Sequence, residues 1–250
     1  MADARAGRGG PLSDAIRRVG PSSPVFLLSE VKVRSPRDGE LLAGRDPAAT
    51  ARAMVDAGAD GVSVVTEPEH FGGSLGLLES VAAAVDVPVL AKDFVTTRED
   101  VDRLRDRGAD AVLLIASELP EEALVALYRH CLDAGVDPLV ETHTEDEVAF
   151  ANDLGAPLVG VNNRDIGRLE RDDGGVERTE SLAPLVRDDA LVVSESSLSS
   201  PAEVARAVAA GADAALVGTA VLAAPDVEAP IRAIKSMEST VLRVRWNSPR

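Results

Sequence analysis

Apolar residues along this chain come in eight short runs, separated by stretches in which they recur three and four positions apart. The runs are VFLLSEVK (25–32), GVSVVT (61–66), VPVLAK (87–92), DAVLLI (110–115), PLVET (138–142), PLVGVN (157–162), ALVVS (190–194) and AALVG (214–218). They are dense in Val, Leu and Ile with too little alternation to leave a wet face, which predicts strands buried on both sides. The intervening amphipathic stretches predict helices near 46–57, 74–84, 97–107, 120–134, 144–153, 177–187, 200–210 and 226–238.

The helix-to-strand joins carry a recurring punctuation: GAD at 58–60, 108–110 and 211–213, GVD at 135–137 and GAP at 155–157. Glycine just past a helix supplies a left-handed cap, and the residues after it lead into the next strand. A strand–helix unit of roughly 25 to 30 residues therefore repeats eight times. Eight such units in 250 residues match an α/β fold of the (β/α)8 TIM-barrel type in count and length. A doubly wound sheet is the alternative, but it usually has fewer strands and often a Gly-rich first turn, which is missing. The expected organisation is a single barrel domain over 23–240, a short N-terminal extension over 1–22 and a tail over 241–250. A helix around Leu12–Val19 in the extension would cover one end of the barrel.

Barrel chemistry collects at the C-terminal ends of the strands, on the face that points inward. Glu30 and Lys32 share a face with Phe26 and Leu28; Lys92 shares one with Leu90, and Glu141 with Leu139. The sixth strand ends in Asn162, Asn163 and Arg164, the seventh in Ser194-Glu195-Ser196-Ser197, the eighth in Gly218-Thr219. A strand end is where polar residues begin in any case. Two lysines and two or three glutamates converging on one mouth is nonetheless a constellation suited to proton transfer. The last two loops, SESSLS and VGTAVL, offer backbone N–H groups and the start of a short helix to a phosphate dianion.

Composition sharpens this picture at one point. The chain has 26 basic residues, of which only Lys32, Lys92 and Lys235 are lysine. Two of those three end strand-like runs, and lysine can be tuned into a proton donor whereas arginine stays charged. The balance of 42 acidic against 26 basic residues, net −16, repels nucleic acid and anionic membranes, so neither is an expected partner. The acidic excess suggests adaptation to high salt, although a GC-rich genome accounts equally for the scarcity of lysine. No apolar stretch reaches bilayer length, the N-terminus lacks a secretory core, and the single cysteine, Cys131, falls mid-helix as a packing residue; the expected location is the cytoplasm. Nothing marks a large apolar docking face, so a monomer or at most a weak homodimer is expected. The histidines at 70, 130 and 143 lack metal-ligand spacing: His130 reads as helix surface, and His143, two after Glu141, could line the mouth but reads first as a solvated loop residue.

From about Phe26 to Leu222 the chain resembles the indole-3-glycerol phosphate synthase family, on SEVKVRSP (29–36), TEPEHFGGS (66–74), PVLAKDF (88–94), LVETH (139–143), GVNNRD (160–165), VVSESS (192–197) and LVGTAVL (216–222). The resemblance implies closure of 1-(2-carboxyphenylamino)-1-deoxyribulose 5-phosphate to an indole in tryptophan biosynthesis, with loss of carbon dioxide and water and with no metal or organic cofactor. It implies Lys92 as general acid, Glu141 as acid/base of the dehydration, and Lys32 with its partner Glu30 as a substrate-anion and proton-transfer pair. Ser35, Phe71, Phe94, Asn162, Arg164, Glu195 and Ser196 match substrate-binding positions; Ser196, Ser197, Gly218 and Thr219 match the phosphate clamp. Two departures stand out: Ser197 replaces a common glycine, and only 29 residues precede Glu30. The competing readings are another phosphate-binding barrel such as phosphoribosylanthranilate isomerase, which needs a Cys/Asp pair, and a barrel that binds without catalysing.

Overall fold

The structure, a computed structural model, describes residues 12–19, 23, 25–164 and 174–237. Within them eight parallel strands close on themselves in sequence order: β1 (Phe26–Val31), β2 (Gly61–Val65), β3 (Val89–Lys92), β4 (Ala111–Ile115), β5 (Asp137–Thr142), β6 (Leu158–Asn162), β7 (Leu191–Glu195) and β8 (Ala214–Val217), with β8 pairing back to β1. The helices that follow them are α1 (Pro47–Asp56), α2 (Leu75–Ala82), α3 (Arg98–Asp106), α4 (Glu121–Asp133), α5 (Glu145–Leu154), α6 (Glu177–Leu182), α7 (Pro201–Ala209) and α8 (Glu228–Lys235). The fold is a (β/α)8 TIM barrel. The tail expected from residue 241 lies outside the described residues, as does most of the extension.

Strand alternation builds two cores. Inward residues, among them Phe26, Leu28, Leu90, Leu113, Leu139, Leu158 and Leu216, fill the barrel, while Leu27, Val64, Val89, Val112, Val140 and Val192 face the helix layer. The expected N-terminal helix spans Leu12–Arg18 and packs Leu12 and Ile16 into the barrel's inner cluster. Its Ser13 N–H donates to the Asp137 carboxylate at 2.7 Å, so the helix is tied to the end opposite the mouth. Helices start where a short side chain can satisfy their orphan N–H groups: Ser74, Thr97, Thr144 and Ser200 each accept from the third residue on.

The repeated Gly-Ala-Asp has a second use that the glycine caps did not reveal. The Asp60 carboxylate accepts the Leu27 N–H at 2.8 Å while the Asp60 N–H donates to the Leu27 carbonyl. The same reciprocal pair joins Asp110 to Val89 and Asp213 to Val192. Three identical clasps thus hold β1 to β2, β3 to β4 and β7 to β8 at the closed end. Asp60 is also where Lys235 goes: its ammonium donates to Asp60 Oδ2 at 2.7 Å, Ser23 Oγ at 2.8 Å and the Val25 carbonyl at 3.2 Å.

Most bounds shift by a residue or two, and three departures from the pattern reading have a physical cause. β3 begins at Val89 rather than 87, because Pro88 has no N–H to give the ladder and enters it only through its carbonyl, which accepts from Val62. The helix expected over 177–187 shortens to Glu177–Leu182 and tightens into a 3-10 turn at Ala183–Leu185, where Pro184 ends the α ladder. A small hairpin, Arg34–Ser35 with Gly39–Glu40, decorates the loop after β1 and is too short to show as a pattern.

Candidate active site

The inward face at the open end is ionisable where the layers below are apolar. Lys92, the last residue of β3, is 9% exposed and reaches across the barrel to Glu195 of β7, with Nζ–Oε2 at 2.6 Å. Its distance to Glu141 Oε2 of β5 is 3.9 Å. Glu141 is 1% exposed, and Asn162 Nδ2 donates to its Oε1 at 3.1 Å. On β1, Glu30 and the Lys32 just beyond it pair at 2.9 Å, and the Lys32 ammonium lies 5.9 Å from the centre of the Phe71 ring, within cation–π range.

Buried carboxylates of this size need room, and two glycines provide it. A Cβ at Gly160 would come within 2.3 Å of Glu195 Oε1, and one at Gly218 within 2.5 Å of Glu30 Oε1. The glycine of GVNNRD and that of LVGTAVL are therefore vacancies for acid side chains from neighbouring strands.

Two recesses meet at the lysines. Glu30, Lys32 and Lys92 line an apolar recess with Phe71, Phe94, Leu113 and Ile115, into which Glu141 also opens. The same three residues line a second, more polar recess with Arg164, Ser196, Ser197, Gly218 and Thr219, alongside Leu198 and Leu216. The polar floor is built by unusual backbone: Ser196 and Ser197 are both left-handed, at φ 63° and 55°, a conformation that non-glycine residues adopt at a cost. Ser197 Oγ accepts a hydrogen bond from Arg164 Nε at 3.1 Å.

Most residues expected at the site meet there, with exceptions of role. Asn162 and Glu195 are fully buried and line neither recess; they hold Glu141 and Lys92 from behind. Ser35 is also buried, exchanging hydrogen bonds with Asp38 in the hairpin turn, and lines neither recess. Cys131 is buried in α4, outside both recesses, with its thiol pushed up to about 12 by burial. The isomerase reading thereby loses its thiol acid.

Sequence reasoning passed over two groups and misplaced a third. Glu67, on the apolar recess, accepts the N–H groups of Glu69, His70 and Phe71 at 2.8–2.9 Å and so fixes the Phe71 loop. Asp93 accepts from Thr66 Oγ1 and the Phe94 N–H, and burial pushes its carboxyl above the ordinary value. His143 is a correction: it is no solvated loop residue, its side chain being 10% exposed with Nε2 3.4 Å from Glu141 Oε1 and Nδ1 3.4 Å from Glu147 Oε2. Burial alone would push the Glu141 carboxyl up; His143, Lys92 and Asn162 more than offset this and hold it below the usual range. The chain bends at His143–Thr144, between β5 and α5, and leaves the histidine beside the carboxylate, a contact at a sequence separation of two that no periodicity displays.

Among the described residues no helix is long and apolar enough to cross a membrane. In fold, the chain is similar to 3-hexulose-6-phosphate synthase from Salmonella typhimurium, with a TM-score of 0.69 at 18% identity over 87% of this chain and 98% of that one. In sequence, it is 43% identical to an indole-3-glycerol phosphate synthase of Thermococcus kodakarensis over 91% of this chain and 98% of that relative. It is 44% identical to one from a Nocardioides species, over 85% of this chain and 81% of that relative. The family model for indole-3-glycerol phosphate synthase matches residues 6–234, and the chain belongs to that family.

Proposed function

We propose that this mouth converts 1-(2-carboxyphenylamino)-1-deoxyribulose 5-phosphate to indole-3-glycerol phosphate as a carboxy-lyase of tryptophan biosynthesis. The observation that carries the reading is the shared wall: Lys32 and Lys92 border both an aromatic-lined recess and a second, more polar recess that holds Arg164 and the Ser196–Ser197 turn. A substrate with an aryl group at one end and a phosphate at the other fits that division, with its reacting carbonyl held between the two against the ammoniums.

In this reading the aryl ring lies by Phe71 and Phe94. The phosphate sits on Arg164, the Ser196–Ser197 backbone and the N–H groups at Gly218 and Thr219. The ring carbon bearing the carboxylate attacks the ribulose carbonyl, and Lys92 gives its proton to the oxygen as the carbon–carbon bond forms. Loss of carbon dioxide restores the aromatic ring. The hydroxyl then leaves as water, with Glu141 moving the proton of that dehydration. Lys32, held by Glu30, binds the carboxylate before it departs. The balance is one substrate to one product, one carbon dioxide and one water, with no change of oxidation state to be supplied from outside.

Glu195 supports the assignment of Lys92: a carboxylate 2.6 Å away in a fully buried position keeps the ammonium aimed into the mouth without competing for solvent. The purified chain, given this substrate, should generate indole fluorescence. A preparation that binds the substrate but yields no indole product overturns the proposal in favour of a binding-only barrel.

A further inference from the structure

We propose that His143 is a positioning residue for Glu141, an imidazolium clamped between Glu141 and Glu147 that keeps the inner carboxylate ionised and fixed beneath the aromatic recess. The inference rests on the reading of Glu141 as the acid/base group, and goes beyond it by naming what sets that group's charge.

The geometry is a line of alternating charge running outward from the barrel axis. Glu195 and Lys92 are 2.6 Å apart, Lys92 and Glu141 3.9 Å, Glu141 and His143 3.4 Å, and His143 and Glu147 3.4 Å. The outer carboxylate is itself anchored, because the His143 backbone N–H donates to Glu147 Oε2 at 2.6 Å. Glu147 sits in the first turn of α5, whose Thr144 caps the helix. The loop, the cap and the pair therefore form one closed unit on the strand that carries Glu141. The groups facing the imidazole are Glu141 and Glu147; Glu145 and Asp146 on the same helix turn, and Glu118 on the turn after β4, are exposed.

Electrostatics follow the arrangement. Burial lowers the His143 pKa, but the two carboxylates, each 3.4 Å from a ring nitrogen, raise it to about 9. The ring is then charged throughout the neutral range. Glu147, like Glu141, is held below the ordinary carboxylate value, burial being outweighed by His143 and the loop N–H. A neutral ring would leave Glu141 buried with Lys92 at 3.9 Å as its nearest cation, and its pKa would climb toward the working pH.

The test pairs two readouts. In protein carrying 15N-labelled histidine, assigned with His143→Gln, the His143 ring should titrate near 9 and fall toward 6.5 in both Glu141→Gln and Glu147→Gln. In the synthase assay, His143→Gln should move the acid limb of the kcat–pH profile upward by about one unit. Glu147→Gln, which acts from the far side of the ring, should move it the same way by less. A ring titrating near 6.5 in the unaltered protein, or a kcat lowered equally at every pH with the limb in place, overturns the proposal. Absence of synthase activity would instead strike the functional reading, and the ring titration would still decide whether the clamp exists.

Discussion

Replacing Gly160 with alanine tests the buried end of the site through a residue that touches no substrate. The added Cβ would lie 2.3 Å from Glu195 Oε1, where ordinary contact begins near 3.4 Å. Something must therefore yield by 3.4 − 2.3, or about 1 Å. The opposite side offers no slack, because the Cα of Glu141 is already 3.4 Å from the new atom. The displacement falls on the Glu195 carboxylate, which is fully buried and holds Lys92 at 2.6 Å. Overpacking of this kind costs about 1–3 kcal/mol, or roughly 2–4 °C of melting temperature per kcal/mol in a chain of this size. A shift of about 1 Å in a group that aims the proton donor costs on the order of a hundredfold in turnover. Gly76→Ala is the control, since only Ser74 Oγ comes within 4 Å of its Cβ, at 3.8 Å; there alanine should be neutral or slightly stabilising. Differential scanning fluorimetry and indole fluorescence read both quantities. A Gly160→Ala protein with unchanged kcat and an unchanged melting point would show that Glu195 does not hold Lys92 in the working enzyme.

Lys92→Arg should keep the charge near Glu195 and the fold, yet lose turnover by orders of magnitude, because a guanidinium does not readily release a proton; substantial turnover would remove position 92 from the acid role. Lys235→Met should lower stability by about 2 kcal/mol through its lost charge-assisted hydrogen bonds and leave kcat alone, which urea unfolding beside the activity assay can check. In Ser197→Gly, relief of the left-handed backbone, about 1 kcal/mol, is offset by the loss of the Arg164 contact and by chain entropy. Stability should then move little while KM rises; an unchanged KM would mean the hydroxyl does not set Arg164. His143 is raised from 6.5 to about 9 in the folded state, so its stabilisation is complete below pH 6.5 and fades as pH rises through 9. Unfolding at pH 6 and pH 10 should show the stability difference between this chain and His143→Gln shrinking by on the order of 3 kcal/mol. A difference that holds constant between those pH values would contradict the linkage.

The eight-unit rhythm was readable because a strand buried on both faces must be continuously apolar and a helix on its surface must not be. The mouth was readable for the same reason inverted: Glu30 and Lys92 interrupt or end runs that packing would have kept hydrophobic. What stayed hidden was the pairing. Nothing in the order of residues says that Lys92 would reach Glu195, 103 positions away, more closely than Glu141, because that depends on where closure of the sheet places β3 and β7. The Gly160 and Gly218 vacancies were invisible as well, since a glycine opposite a carboxylate reads like any glycine in a strand. His143 was misjudged because position after a strand suggests a loop in water, whereas the bend leaves it beside the carboxylate of its own strand.

The clasps at the closed end carry a metric consequence. The residues they grip by the N–H are Leu27, Val89 and Val192, and three places further along each strand stand Glu30, Lys92 and Glu195. The offset is the same every time: 30 − 27, 92 − 89 and 195 − 192. At about 3.3 Å per residue, each aspartate works as the zero mark of a ruler whose reading, some 10 Å on, is an inward-pointing charge. A single-residue insertion between mark and reading would turn that side chain to the helix layer, so these short spans tolerate substitution far better than any change of length.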